Sequence, residues 1–312
     1  MIAIQQLRKR FGRQLALDDV SFEVPKGEIF GFVGPNGAGK TTTIRVLATL
    51  TPADRGRATI GGIPVGEDPA AVRALVGYMP DFFGVYDRLT AEEYLEFYAA
   101  CHGVPRGRRR RVAAELLELV DLGERREAQV DTLSRGMKQR LCLARALVHD
   151  PSVLLLDEPA SGLDPRARVE MRELIQELRR MGKTILVSSH ILPELEELCT
   201  WVGFIDRGRM VAVGPMSDIR DRVAAGRRLR VDLVQPEPDH LLHAAELAQN
   251  QPGVADVQVV DDHIEMVVND SFEDHELLAL LVRKGLKVRS FGVVEGDLSE
   301  AFMRLTGGQA VQ

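Results

Sequence analysis

The chain has 312 residues, of which 45% are hydrophobic and 28% are charged, and its formal net charge is −6 at pH 7. This length predicts two domains, and the composition is typical of a globular protein. The acidic balance gives no reason to expect nucleic acid as a partner. The sequence has no apolar run of about 18 residues and no apolar N-terminal signal core, which argues against a membrane span and against secretion. The three cysteines lie far apart, without metal or disulfide spacing, so we expect reduced thiols in a cytosolic protein.

A glycine-rich loop follows the first apolar strand candidate. The strand candidate is EIFGFVG (28–34), and the helical pattern of TTIRVLATL comes after the loop. The loop itself, GPNGAGKTT (34–42), fits the P-loop pattern, in which backbone N–H groups surround the β-phosphate. In this pattern Lys40 reaches the β- and γ-phosphates, and the Thr41 hydroxyl binds Mg²⁺. The predicted nucleotide-binding residues are Gly34, Pro35, Asn36, Gly37, Ala38, Gly39, Lys40, Thr41 and Thr42.

A helical region is predicted between about residues 88 and 148, inserted into an α/β core. Its segments are TAEEYLEFYAACHG, RRRRVAAELLELVDLG and MKQRLCLARALV. The last segment follows LSRGM (133–137), in which Ser134 has the position of an N-cap and Gly136 permits close approach to the backbone. Because the first N–H groups of a helix are unpaired, this helix start predicts a second anion site.

Two further apolar strand candidates end in polar residues. SVLLLDEP (152–159) ends with Asp157 and Glu158, and KTILVSSH (183–190) ends with His190. Ligands collect at the carboxyl ends of parallel strands, so we expect these side chains beside the P-loop. There Asp157 would hold Mg²⁺ and Glu158 would activate the water that attacks the γ-phosphate. The alternatives are a surface Asp-Glu pair at a strand end and, for His190, a structural histidine instead of a γ-phosphate contact.

The order of these elements predicts the fold class. Strands that alternate with helices indicate an α/β core with a mostly parallel sheet, and VGFIDRGRMVAVG (202–214) predicts a hairpin with its turn at Arg207-Gly208. From about residue 225, four alternating segments predict strands and two periodic segments predict helices. The predicted domains are therefore 1–224 and a small, separate α+β domain at 225–312.

Taken together, the motifs resemble those of ATP-binding cassette (ABC) subunits of membrane transporters, over about residues 2–220. GPNGAGKTT resembles the family's Walker A motif, LLLDEP its Walker B motif with the catalytic glutamate, and LSRGM its signature motif. SGLD (161–164), which ends in Asp164, resembles the D-loop, and His190 matches the switch histidine. Phe11 lies where the family stacks an aromatic ring on adenine, with a core position as the alternative. The resemblance implies a P-loop NTPase core with an antiparallel β subdomain and an inserted helical subdomain.

The resemblance also implies function. It implies ATP and Mg²⁺ as cofactors and two cassettes that face head to tail. Ser134 and Gly136 of one subunit, with Asp164 nearby, would then bind the γ-phosphate held by the other. The expected protein is an ATPase that energises a separate permease, as a homodimer, cytoplasmic and peripheral on the inner face of the cell membrane. The tail resembles the C-terminal domain of exporter cassettes, including LSEAFMRLTGG (298–308), so we expect an exporter.

The sequence departs from the family pattern at two positions. Arg135 stands where the strict signature motif has glycine, and it would point to solvent or add a phosphate contact. Asp81 stands where the family commonly has a glutamine that contacts Mg²⁺ and the attacking water. An aspartate there would ligate Mg²⁺ but repel the γ-phosphate, or it merely caps its loop. The neighbouring Phe82, Phe83 and Tyr86 are predicted either to contact the permease or to pack in the core.

Three alternative functions remain at this point. Cassettes of DNA maintenance carry long coiled-coil insertions, and translation factors usually hold two cassettes in one chain; this sequence has neither feature. The third alternative is a nucleotide-gated regulator without turnover. Glu158 argues against a regulator, whereas Asp81 leaves this alternative open.

Overall fold

The computed structural model describes residues 1–81, 84, 88–223, 227–269 and 271–294. Phe82, Phe83, Tyr86 and the segment 298–308 lie outside the described residues. The chain divides into two units, one within Met1–Met216 and one that begins at Ser217. The boundary between residues 224 and 225 stays a prediction.

Strands and helices alternate through the first unit. The strands are β1 (Ile2–Phe11), β2 (Gln14–Val24), β3 (Ile29–Val33), β4 (Arg55–Ile60), β5 (Ile63–Pro64), β6 (Val76–Met79), β7 (Val153–Asp157), β8 (Thr184–Ser189), β9 (Trp201–Asp206), β10 (Arg209–Pro215), β11 (Arg227–Leu233), β12 (Val254–Val260), β13 (His263–Val268) and β14 (Val288–Val294). The helices are α1 (Lys40–Leu47), α2 (Pro69–Leu75), α3 (Ala91–Cys101), α4 (Arg106–Leu119), α5 (Arg135–Ala146), α6 (Pro165–Arg180), α7 (Leu192–Leu198), α8 (Met216–Val223), α9 (Pro238–Gln249) and α10 (Asp274–Arg283). Among the described residues, the second unit adds β11 to β14 with α9 and α10, and α8 spans the boundary between the units.

A six-stranded sheet forms the centre of the first unit, in the order β10-β9-β3-β8-β7-β6. Neighbouring strands are parallel, except that β9 and β10 form an antiparallel hairpin. Every residue of β3, β7 and β8 is buried, as expected for parallel strands that are covered on both faces. The hairpin turns at Arg207 and Gly208, which both have positive φ. The predicted mostly parallel sheet and the predicted hairpin are therefore confirmed.

A second, antiparallel sheet of the first unit has the order β2-β1-β4-β5. It shares one hydrophobic core with the central sheet, in which the rings of Phe22 and Phe30 stack with centroids 4.8 Å apart. Phe32 packs against Phe22 in the same cluster. Burial of three such rings contributes roughly 1.5–3 kcal/mol each, so this shared core holds the two sheets together.

Helices α3, α4 and α5 form their own core around Tyr94, Leu117 and Leu141, which are almost completely buried. Helix α3 begins with a capping box. The Thr90 hydroxyl accepts from the Glu93 N–H at 3.2 Å, and the Glu93 carboxylate accepts from the Thr90 N–H at 2.9 Å. These two bonds satisfy N–H groups that would otherwise be unpaired, so they fix where the helix starts.

Two histidine rings stack where α3 and α5 end. The rings of His102 and His149 are 4.0 Å apart and nearly parallel, and His149 Nε2 lies 3.0 Å from the Val76 carbonyl oxygen at the start of β6. Burial lowers the pKa of His102 and that of His149, and the charge of His102 lowers the pKa of His149 further. Both rings therefore favour the neutral form.

The three cysteines differ in exposure. Cys101 is exposed, whereas Cys142 and Cys199 are buried, and no disulfide joins them. Burial raises the pKa of Cys142 to about 12 and also raises the pKa of Cys199. The two buried thiols are therefore protonated and unreactive at neutral pH.

The second unit is an antiparallel sheet in the order β12-β13-β11-β14, with α9 and α10 on one face. Alternate residues of β11 and β13 point to these helices, so that Leu229, Val231, Ile264 and Met266 are buried with Leu277 of α10. The alternation predicted from the sequence therefore matches an α+β unit. Among the described helices of both units, none combines the length and the apolar character needed to span a bilayer.

Candidate functional site

The loop 34–39 joins β3 to α1 and curls around the ammonium group of Lys40. Lys40 Nζ donates to the Gly34 carbonyl oxygen at 2.5 Å and to the Pro35 carbonyl oxygen at 3.3 Å, and it lies 3.4 Å from Glu158 Oε1. Only 5% of Lys40 is exposed. Helix α1 has no side-chain cap, and Gly37 in the loop has a φ of 80°. The loop therefore presents backbone N–H groups and a cation to an anion.

Neighbouring backbone fixes the path of this loop. A Cβ atom on Gly34 would lie 2.2 Å from the Ile205 carbonyl oxygen, and Gly39 has a φ of 116°. The Gly208 N–H, in the β9–β10 turn, donates to the Ala38 carbonyl oxygen at 2.8 Å. Only glycine fits at Gly34, because backbone atoms cannot yield space to a side chain. The conformation of the loop therefore depends on the hairpin as well as on its own sequence.

Strand β7 carries Asp157 to the edge of the loop, with only 1% of the residue exposed. Its Oδ1 atom accepts from the Thr41 hydroxyl at 3.1 Å and from the Ser188 hydroxyl at 2.7 Å. Burial raises the pKa of Asp157, the two hydroxyl groups lower it, and the charges of Glu158 and Asp81 raise it. The net effect disfavours the charged carboxylate, so a cation beside Asp157 would stabilise its charged form.

The oxygen atoms of Thr41 and Asp157 suit a divalent cation such as Mg²⁺. Mg²⁺ usually takes one or two protein ligands and completes its shell with phosphate oxygens and water. In the described part of the chain, no three His, Cys, Asp or Glu side chains converge as a metal site of their own. The donor set therefore fits a cation that arrives with a phosphate ligand.

Glu158 lies between Lys40 and His190. Its Oε2 atom is 2.8 Å from His190 Nδ1, and its side chain is only 13% exposed. The backbone of Glu158 has a φ of 50°, which costs roughly 1–2 kcal/mol for a residue with a Cβ atom. The Ser188 hydroxyl accepts from the Glu158 N–H at 3.0 Å. One serine therefore binds the carboxylate of Asp157 and the backbone of Glu158, a role that the sequence reasoning missed although Ser188 lies two residues before His190.

The start of α5 lines a separate cavity of about 330 Å³, together with the segment 162–164. Ser134 caps the helix by accepting from the Met137 N–H at 3.3 Å. The side chain of Arg135 is exposed, and its Nη2 atom donates to the Ser161 carbonyl oxygen at 3.0 Å, a contact that the sequence did not predict. Asp164 caps α6 by accepting from the Ala167 N–H at 2.9 Å. Among the residues that line this cavity are Ser134, Gly136 and Asp164, but none of the P-loop residues.

Phe11 and Asp81 are the remaining predicted site residues. Phe11 ends β1 with 50% of the residue exposed, and Lys9 Nζ lies 5.4 Å from its ring centroid, so the ring is not in the core. Asp81 is exposed after β6, and its charge contributes to the raised pKa of Asp157. The nucleotide-binding roles of both residues stay predictions.

Comparison with known proteins gives matches over both units. A family model described as ABC transporter matches residues 17–161, and a model of the ATP-binding protein DrrA1-3-like, C-terminal domain, matches residues 214–306. The linearmycin resistance ATP-binding protein LnrL of Bacillus subtilis (strain 168) is 35% identical and covers 98% of both chains. The daunorubicin resistance ATP-binding protein DrrA2 of Streptomyces coeruleorubidus is 34% identical, with 98% of this chain and 95% of the relative covered. A Nod factor export ATP-binding protein I of Burkholderia pseudomallei (strain 1710b) is 44% identical over 68% of this chain and 70% of the relative.

Solved structures agree with this result. The ATP-binding subunit of an ABC transporter has a TM-score of 0.64 at 33% identity, with 71% of this chain and 92% of that chain covered. A bacterial ABC transporter cassette whose structure is dimeric has a TM-score of 0.63 at 25% identity, with 69% and 99% covered.

These findings confirm the predicted P-loop NTPase fold and the predicted ATPase that drives transport, and they do not favour the three alternative functions. The match extends through the C-terminal unit as well as the nucleotide-binding unit. The chain therefore belongs to the ATP-binding cassette family, as an ATP-binding subunit of a transporter.

Proposed function

We propose that this chain powers an exporter whose membrane permease is a separate protein, and that two copies of the chain pair head to tail on the inner face of the cell membrane. Two near full-length relatives carry names of drug-resistance proteins, and a third carries the name of an export protein. The C-terminal match to the DrrA1-3-like domain supports the same class of system. The substrate would be selected by the permease.

One observation carries the proposal of a dimer. The P-loop and the two carboxylates form one site, whereas the helix start at Ser134 lines a different cavity of the same chain. A helix start with a serine cap and a following glycine suits an anion. In a head-to-tail pair, Ser134 and Gly136 of one copy would meet the γ-phosphate held by Lys40 of the other.

The geometry supports hydrolysis with Glu158 as the general base. Thr41 and Asp157 would hold Mg²⁺, which supplies charge stabilisation for the phosphate oxygens when it is bound. Glu158 takes a proton from the water whose oxygen attacks the γ-phosphorus, and the bond from this phosphorus to the leaving ADP oxygen breaks. His190, 2.8 Å from Glu158 Oε2, orients that carboxylate and would contact the γ-phosphate of bound ATP. Lys40 binds the phosphates when ATP is present, so its contact with Glu158 Oε1 is lost as ATP binds.

ATP would act through its difference from ADP. A ligand shifts a conformational equilibrium only by as much as its affinity differs between the two states. ATP offers a γ-phosphate to Ser134 of the opposite copy, whereas ADP does not. ATP therefore favours the closed dimer, and hydrolysis followed by phosphate release favours its opening.

Size-exclusion chromatography with MgATP tests this mechanism. Glu158→Gln should bind ATP, lose turnover by at least about 100-fold, and elute as a dimer with ATP but not with ADP. Glu177→Gln is the matched control, because Glu177 lies on α6 and pairs with Arg180 at the surface. A Glu158→Gln variant that stays monomeric at high concentration, or that hydrolyses ATP normally, would refute the proposal.

A second variant addresses the anion site at α5. Ser134→Ala should lower turnover while the ATP affinity of the isolated monomer stays nearly unchanged. Cysteines introduced at Asn36 and Ser134 should crosslink between molecules, and only with MgATP. A large loss of monomer affinity, or crosslinks within one molecule, would contradict the head-to-tail arrangement. Co-purification with a membrane protein that is encoded next to this chain tests the proposed permease.

A further inference from the structure

The guanidinium group of Arg135 lies against the backbone of the D-loop, residues 161–164. Its Nη2 atom donates to the Ser161 carbonyl oxygen at 3.0 Å. A Cβ atom on Gly162 would lie 2.4 Å from Arg135 Cζ, and Gly162 has a φ of 65°. The guanidinium therefore occupies the space that any side chain at position 162 would need.

The hydrogen bonding continues from the D-loop to the catalytic glutamate. The Ser161 N–H donates to the Glu158 carbonyl oxygen at 3.0 Å. Ser161 is thus bonded through its carbonyl oxygen to Arg135 and through its N–H to Glu158. The turn 158–161 begins at the positive φ of Glu158, a conformation that needs support from its surroundings.

The far end of the D-loop is held independently. Arg168 Nε, on α6, donates to the Leu163 carbonyl oxygen at 2.9 Å. Arg168 Nη1 also lies 3.1 Å from Glu194 Oε1 on α7, which follows His190. Two guanidinium groups therefore hold the carbonyl oxygens of one short loop, and the one from Arg135 connects this loop to α5.

We propose that Arg135 is a positioning residue that couples the phosphate-binding helix start of a chain to the Glu158 of the same chain. This inference rests on the proposed head-to-tail dimer, because Ser134 and Glu158 of one copy then serve two different ATP molecules. A shift of α5 when the partner's γ-phosphate arrives is transmitted through Ser161 to the turn that carries Glu158. Arg135 thereby links the two ATP sites of the dimer.

ATPase kinetics of the full-length chain test the role of Arg135. Arg135→Ala should lower kcat by about three- to ten-fold, the loss of one charge-assisted hydrogen bond at an exposed site, with KM for ATP changed less than about two-fold. Arg180→Ala is the matched control, because Arg180 is an exposed arginine that pairs with Glu177 and does not line this cavity. This control should change neither constant by more than about two-fold.

A double-mutant cycle with Gly162→Ala separates positioning from a general loss of stability. Gly162→Ala strains the backbone in any background, but it displaces the guanidinium only when Arg135 is present. The loss of kcat caused by Gly162→Ala should therefore be at least about three-fold smaller in the R135A background than in the wild-type background. If the two substitutions lower kcat by independent factors, so that the double variant shows their product, the proposal is wrong.

The dimer assay distinguishes a failure of this inference from a failure of the proposed function. The variant E158Q alone tests the dimer with Arg135 intact. The double variant E158Q/R135A should still dimerise with MgATP, because Arg135 acts on the D-loop and not on the phosphate. If R135A abolishes the dimer of E158Q, Arg135 binds the phosphate directly and the positioning role is wrong. An unchanged kcat in R135A would likewise refute it.

Discussion

Removal of the Ser188 hydroxyl should destabilise the nucleotide-binding unit in a pH-dependent way. Ser188 is completely buried, donates to Asp157 Oδ1 at 2.7 Å and accepts from the Glu158 N–H at 3.0 Å. In Ser188→Ala, one donor is left without a partner and a buried carboxylate loses a hydrogen bond. Together these losses lower the free energy of unfolding by about 2 kcal/mol near neutral pH, a factor of about 30 in the folding equilibrium.

The pH dependence follows from the pKa of Asp157. Burial disfavours the charged form of Asp157 in the folded protein and so raises its pKa. The penalty for burying this charge lowers the free energy of unfolding at pH values above the folded-state pKa. The bond from Ser188 lowers the pKa of Asp157. Its removal raises the pKa further and enlarges the cost at high pH. As the pH falls toward the ordinary range of aspartate, both states bind the proton and the cost disappears. The destabilisation by Ser188→Ala should therefore be smaller at about pH 4, near the ordinary pKa of aspartate, than at about pH 7.5.

Urea unfolding, followed by tryptophan fluorescence, reports on the structural unit that contains Ser188. The sequence has one tryptophan, Trp201, which lies in β9 of the central sheet. Ser189→Ala is the matched control, because the hydroxyl of Ser189 accepts from the Ile191 N–H and does not contact Asp157. The control should lose about 1 kcal/mol equally at both pH values. The reasoning fails if Ser188→Ala loses less than about 0.5 kcal/mol, or if its loss is the same at both pH values.

Three further outcomes are expected. Gly34→Ala should lower the free energy of unfolding by more than about 3 kcal/mol, since its Cβ atom would clash with the Ile205 carbonyl oxygen. Gly37→Ala should lower it by about 1 kcal/mol, because only the positive φ of Gly37 is unfavourable for alanine. Thermal unfolding of the two variants compares these losses. A maleimide reagent should label the native chain once, at Cys101, as counted by mass spectrometry, and a second rapid label would contradict the burial of the other two thiols. His102→Gln should raise the pKa of His149, measured by NMR titration, because the charge that His102 gains as the pH falls opposes protonation of the stacked ring. An unchanged pKa would show that this charge has no effect.

Local patterns in the sequence were sufficient for the framework of the fold. The apolar strands at 28–34, 152–159 and 183–190 predicted buried strands of a mostly parallel sheet, and Arg207-Gly208 predicted a hairpin turn. These features depend on residues close together in the sequence. Periodicity and turn chemistry therefore identify them without knowledge of the tertiary structure.

The contacts that orient the site depend on residues far apart in the sequence. Ser188 is 31 residues from Asp157, and its donated hydrogen bond exists only because β7 and β8 pair in one register. Arg135 is 26 residues from Ser161, and its hydrogen bond to the Ser161 carbonyl oxygen was not predicted from the sequence. Neither the strand register nor the rotamer of a long side chain follows from local pattern.

The hydrogen bond from Gly208 to Ala38 has a consequence for how the protein is made. The turn 207–208 also joins β2, since the Asp18 N–H donates to the Gly208 carbonyl oxygen at 2.8 Å. The hairpin contacts residues 16–18 and the P-loop, although these segments are up to about 190 residues apart in the sequence. At ordinary rates of translation, the ribosome synthesises the hairpin roughly ten seconds or more after residues 16–18. A nascent polypeptide that ends before residue 208 lacks the hydrogen bond from Gly208 to Ala38, which helps to fix the conformation of the P-loop. Tight capture of ATP therefore waits until nearly the whole cassette has been translated.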